Sequence, residues 1–174
     1  MADRRETLVM VGVGVAAAVA GVVAGPWLAG APMDAEALYA APLADLSGKA
    51  RSIGEWRGRI LVVNFWATWC PPCREEIPAL VRVRDKLAPS GVEFIGIAID
   101  QVSKVIDFSR NVQISYPLLM ADPTGLDLIR KLGNPSGGLP FTVVLNRKGS
   151  VAHRYLGAIT QQKIEDQLVS MLPA

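Results

Sequence analysis

The apolar positions of this chain fall into two rhythms. Residues 59–67, RILVVNFWA, form an unbroken β-rich apolar run, the pattern of a strand buried on both faces. Residues 71–88, PPCREEIPALVRVRDKLA, place Ile77, Leu80, Val81 and Leu87 on one helical face and the charges on the other. Residues 92–100, VEFIGIAID, read as a second buried strand. Strand, helix and strand in succession predict a right-handed βαβ unit with parallel strands. In the middle section, 101–138, SKVIDFSRN predicts a short helix and YPLLM a short strand. DPTGLDLIRKLG predicts a helix capped by Asp122, with Pro123 in its first turn and Gly133 at its end. FTVVLNRKGSVAHRYLG, 141–157, is two β-rich runs around NRKG and predicts a hairpin. TQQKIEDQLVSML, 160–172, predicts a closing amphipathic helix. Residues 32–58 mix Pro, Gly, Ala and charge, and predict a short linker and an irregular lead-in.

The N-terminus breaks both rhythms. After Asp3, Arg4, Arg5 and Glu6 the next charge is Asp34. A run of about 20 apolar residues spans a bilayer, so this one is long enough, although its Gly and Ala make it only moderately hydrophobic. Arg4 and Arg5 precede it and the next basic residue is Lys49, which keeps the tip in the cytoplasm and sends the rest outward. The expectation is a cytoplasmic tip and signal-anchor over residues 1–34, followed by one domain over 35–174. A cleaved signal peptide is the alternative. The small residues AGA at 29–31 fit a cleavage site, and Pro32 directly after them opposes it. The net charge of +2 gives no reason to expect nucleic acid.

The two cysteines, Cys70 and Cys73, lie in WATWCPPCREEIP. A structural bond between them would stabilise little, because so short a loop removes little entropy from the unfolded chain. A zinc site needs about four ligands, and His153 is the one histidine. A two-thiolate Cu(I) site stays open. The redox reading fits placement as well as spacing. Cys70 falls where a buried strand hands over to a helix N-terminus, where the dipole and free N–H groups stabilise a thiolate. Cys73, one turn in, is near enough to resolve a mixed disulfide. Pro71 and Pro72 have no N–H, so the thiolate loses two local donors.

VVNFWATWCPPCREEIPAL resembles the thioredoxin superfamily, and within it the membrane-anchored TlpA/ResA-type thiol–disulfide reductases. Trp69, Cys70, Pro72 and Cys73 match the W-C-x-P-C motif; Pro78 matches the helix proline, and Glu76 the family's acidic residue. GGLPFTVVLNRKG resembles the loop that carries the superfamily's cis-proline, here Pro140. Thioredoxin has a buried Asp where this chain has Asn64, a departure that suits the TlpA branch. The resemblance covers about residues 40–172. It implies a thioredoxin-like α/β fold, with a central mixed β-sheet flanked by helices and residues 101–138 as the branch's insert. It implies a periplasmic reductant at the inner membrane, with no organic cofactor or metal. Electrons would come from a DsbD/CcdA-type transmembrane donor. Substrates would be exported disulfides, such as apocytochrome c or a copper chaperone of oxidase assembly. A disulfide-donating oxidase and a Cu(I)-transfer module are the alternatives; a peroxidase would need a different cysteine motif.

The resemblance also assigns roles. Cys70 is the nucleophile and Cys73 the resolving thiol. Cis-Pro140 packs against the cysteines and exposes the backbone of Leu139 to an extended substrate segment. Trp69 lines the substrate surface. Glu76, one helical turn after Cys73, is a proton acceptor for Cys73 or else a solvated helix charge. Plainer readings hold for the neighbours: Trp66 in the core, Asn64 a satisfied buried amide, Arg74 a surface residue, His153 structural, and Asp100 a strand end that starts a turn.

Overall fold

In a computed structural model, residues 35–121 and 125–173 are described. They form one seven-stranded sheet with helices on both faces. The strands are β1 (Leu43–Asp45), β2 (Ala50–Arg51), β3 (Ile60–Trp66), β4 (Val92–Ala98), β5 (Leu118–Ala121), β6 (Phe141–Leu145) and β7 (Val151–Leu156). The helices are α1 (Glu36–Tyr39), α2 (Pro71–Leu87), α3 (Val102–Val112), α4 (Gly125–Lys131) and α5 (Gln161–Ser170). Strand order is β2-β1-β5-β4-β3-β6-β7. β3, β4 and β5 run parallel, while β1 and β6 pair antiparallel to β5 and β3. The expected mixed sheet and the parallel βαβ unit are therefore present.

β3 is buried along its whole length because both its faces are covered. Its period-2 alternation sorts the side chains. Ile60, Val62 and Trp66 join one core with α2, α3 and α5. Leu61, Val63 and Phe65 join the other with α1 and α4. Asn64 alone interrupts the first of these rows, beneath α2. β4 repeats the arrangement, with Phe94 on one side and Ile95 and Ile97 on the other.

The lead-in is more ordered than expected. It holds α1, the β1–β2 pair and a 3₁₀ turn at Ile53–Trp56, the last closed by a capping box of Ser52 and Glu55. β1 joins the sheet beside β5, with Leu43 opposite Ala121. Strands of two or three residues show barely one alternation, so a period-2 pattern cannot reveal them; pairing with β5 supplies the order. The expected caps Asp122 and Pro123 lie outside the described residues, as does the expected anchor over 1–34. Among the described residues no helix is long and apolar enough to cross a membrane.

Candidate active site

α2 begins where β3 ends, at the C-terminal edge of the parallel strands. Pro71 and Pro72 occupy its first turn, where a missing N–H costs nothing because no helical acceptor exists there. Cys70 is the N-cap residue, and its Sγ accepts the Cys73 N–H at 3.3 Å. Cys70 and Cys73 are joined by a disulfide and both are buried. The loop ahead of Cys70 is held by Asp100, whose Oδ2 accepts from the Thr68 N–H at 2.8 Å and from Thr68 Oγ1 at 2.5 Å. Burial pushes the Asp100 carboxyl up, but the Thr68 and Gln101 donors outweigh it and hold it below its ordinary value. Asp100 thus does more than start a turn.

Glu76 lies one turn beyond Cys73 and is only 5 % exposed, which removes the solvated-charge reading. Its Oε1 accepts from Asn64 Nδ2 at 2.8 Å, and its Oε2 from the Ile159 N–H at 2.9 Å. Burial raises its pKa from 4.5 to about 7, against the opposing pull of those two donors. Asn64 also donates to Thr142 Oγ1 at 3.0 Å. Its own Oδ1 has no partner among the described residues, so the amide is only half satisfied. Trp66 Nε1 and the Tyr116 hydroxyl are likewise buried without partners. Burial, and then the nearby Glu76 carboxylate, push the Tyr116 hydroxyl up.

The remaining predicted residues divide between surface and core. Trp69 is 64 % exposed, whereas Trp66 is fully buried. Arg74 is exposed, with its guanidinium 5.7 Å from the centre of the Phe108 ring. The Leu139–Pro140 bond is cis, Pro140 is buried, and Leu139 packs partly against both cores. His153 sits in β7 opposite Val144.

Sequence reasoning passed over Asn134, which shapes the loop leading to Leu139. Its Nδ2 donates to the Gly138 carbonyl at 2.8 Å and its Oδ1 accepts from Ser136 Oγ at 2.7 Å. The signal was present in NPSGG, since Asn-Pro and Gly-rich steps mark turns stabilised by side-chain bonds. Thr142 and Ile159 were missed for another reason. They meet Asn64 and Glu76 only through tertiary packing, with no local pattern to expose them.

Comparison with known proteins agrees with this geometry. The redoxin family model matches residues 29–170. The thioredoxin-like protein YneN of Bacillus subtilis is 32% identical over 130 residues, covering 72% of this chain and 73% of the relative. The thiol–disulfide oxidoreductase ResA of Bacillus cereus is 28% identical over 131 residues, covering 74% and 73%. A thiol:disulfide interchange protein of the thioredoxin family from Chlorobium tepidum superposes with a TM-score of 0.67 at 32% identity, covering 76% of this chain and 95% of that one. With its paired cysteines at the head of α2 and the thioredoxin-like sheet behind them, the chain belongs to the redoxin family and is a ResA-like thiol–disulfide oxidoreductase.

Proposed function

We propose that this protein works as a periplasmic reductant of protein disulfides, held at the bacterial inner membrane by residues 1–34. The Cys70 thiolate attacks one sulfur of a substrate disulfide, forms a mixed disulfide and releases the first substrate thiolate. Cys73 passes its proton to Glu76 and attacks Cys70 Sγ, and the second substrate thiolate leaves. The substrate gains two electrons, and protons convert both its sulfurs to thiols. The Cys70–Cys73 pair ends as a disulfide. A DsbD/CcdA-type transmembrane donor then reduces that pair again. Trp69, Leu139 and Pro140 receive the substrate segment, while Pro71 and Pro72 shape the attacking loop. The resemblance to the TlpA/ResA branch favours apocytochrome c or a copper chaperone as substrate.

The observation that supports the direction is the sparse set of donors at Cys70. The Cys73 N–H reaches its sulfur, and the two intervening prolines supply none. Buried Glu76 adds a negative charge to this end of α2 once it ionises. Arg74 pulls the other way, but an exposed cation is worth only about 0–1 kcal/mol. For a two-electron couple about 1.4 kcal/mol corresponds to roughly 30 mV, so such a charge does not span the gap between thioredoxin, near roughly −270 mV, and the oxidant DsbA, near roughly −120 mV. The potential should lie nearer thioredoxin's. Equilibration with a thiol–disulfide redox buffer measures it; a value near DsbA's, or a pair found mainly oxidised in cells with an intact donor, would leave the disulfide-donating reading. The roles within the pair have their own test. Cys73→Ser should accumulate mixed disulfides with exported proteins and Cys70→Ser should not; equal trapping by both would contradict the assignment.

A further inference from the structure

The Glu76 carboxyl sits at a junction of four elements. α2 carries it, with Cys73 one turn before. β3 supplies Asn64, β6 supplies Thr142 behind Asn64, and the segment ahead of α5 supplies the Ile159 N–H. From the stretch before β5 comes Tyr116, a titratable group whose hydroxyl feels the Glu76 charge. The causes acting on the carboxyl are burial and the two donors, and none is a charged side chain. Against that burial, its carboxylate is supported by two neutral hydrogen bonds.

Asn64 spends both N–H groups of its amide here, one on Glu76 Oε1 at 2.8 Å and one on Thr142 Oγ1 at 3.0 Å. The bond to Thr142 fixes the amide plane, so the donating edge faces the carboxyl and Oδ1 is turned away, without a partner among the described residues. A donor of this kind favours the carboxylate over the neutral acid. A buried carboxyl without such donors stays protonated at neutral pH and has no room for another proton.

We propose that Asn64, locked by Thr142, is the positioning residue that keeps the Glu76 carboxyl ionisable inside the core. The proposal rests on the reading of Glu76 as the acceptor of the Cys73 proton, and it names the residues that make that acceptor usable. Among the described residues neither is hydrogen-bonded to the reacting sulfurs; both act through Glu76.

The test is a titration of Glu76 itself in the oxidised full chain, where the cysteines do not ionise. Glutamate labelled with ¹³C at the side-chain carboxyl reports the midpoint by NMR, and the signal lost in Glu76→Gln assigns it. Asn64→Leu keeps bulk and removes the donor, and should raise the midpoint by about one to two pH units, as expected for a lost bond to a charged group. Thr142→Val should raise it by less, and Thr142→Ser, which keeps the hydroxyl, should leave it near the wild-type value. Unchanged or lowered midpoints in Asn64→Leu and Thr142→Val would overturn the proposal, as would a Thr142→Ser midpoint displaced as far as that of Thr142→Val. If Asn64→Leu fails to fold, Thr142→Val and Thr142→Ser decide between them. The outcome is separable from the proton-acceptor reading, since no thiol takes part. If Glu76→Gln releases substrate at the wild-type rate, the acceptor role falls, whatever the titration shows.

Discussion

At the scale of single residues, the decisive fact is where the one buried acid under the cysteines stands on the pH axis. An unfolded glutamate titrates near 4.5, and burial raises Glu76 to about 7. Between those values the folded chain holds a proton that the unfolded chain has released, so stability falls as pH rises through this window. The spread corresponds to about 3 kcal/mol, present near pH 4 and lost by about pH 8. Glu76→Gln keeps the size and stays neutral, so the oxidised variant should lose less stability than the wild type from pH 5 to 8. Denaturant unfolding at a series of pH values measures this, and parallel curves for the two proteins would contradict it. The sequence placed Glu76 a helical turn from Cys73 but left its burial open. That burial depends on Asn64, 12 positions away, and on Ile159, 83 positions away. No helical period carries such information. Cys70 and Cys73 were legible because their chemistry lies in local spacing. Asn134 was legible in principle, since its partners lie within four positions.

At the scale of elements, legibility follows length and repetition. β3, α2 and β4 each repeat their rhythm over at least seven residues, and the structure places them where the pattern did. β1 and β2, with three and two residues, exist through pairing rather than pattern. α5 sits between these cases. Its apolar residues Ile164 and Leu168 dock in the core shared with α2, and its flank meets α2 through Lys86–Glu165 and Arg82–Gln161. Its start is fixed by Thr160, whose Oγ1 accepts the Lys163 N–H at 3.3 Å. The neighbouring Ile159 N–H is the one given to Glu76. Thr160→Ala should therefore cost about 1 kcal/mol, the usual worth of such a cap, with Thr160→Ser recovering most of it. The expected signature is a lower denaturation midpoint with an unchanged slope. An unchanged midpoint would mean that docking on α2, not the cap, holds this end.

At the scale of the whole molecule, the question is where the folding unit starts. The described residues from Ala35 onward form one compact unit. Its first described residue is already structural: Ala35 is buried, and its carbonyl accepts from the Leu38 and Tyr39 N–H groups. Leu38 is fully buried, and Leu43 opens β1 at 4 % exposure. The domain boundary drawn from the end of the apolar run thus falls just ahead of a helix that the core needs. A chain starting at Asp34 should stay soluble without detergent, unfold cooperatively, and reduce a small model disulfide at the rate of the full chain. A chain starting at Ala44 should not behave alike. It loses Leu38 and Leu43, and burying one such side chain is worth about 1.5–3 kcal/mol. Together that is about 3–6 kcal/mol, a large part of the 5–15 kcal/mol that typically holds a domain. It also removes the residue of β1 that pairs with Ala121 of β5, leaving Ala44 and Asp45 to cover that edge. The shorter chain should therefore aggregate or melt far below the longer one, with its redox motif untouched. Aggregation or inactivity of the chain starting at Asp34 would place residues 1–33 within the folding unit, and equal stability of the two truncations would mean that the core closes without α1 and Leu43.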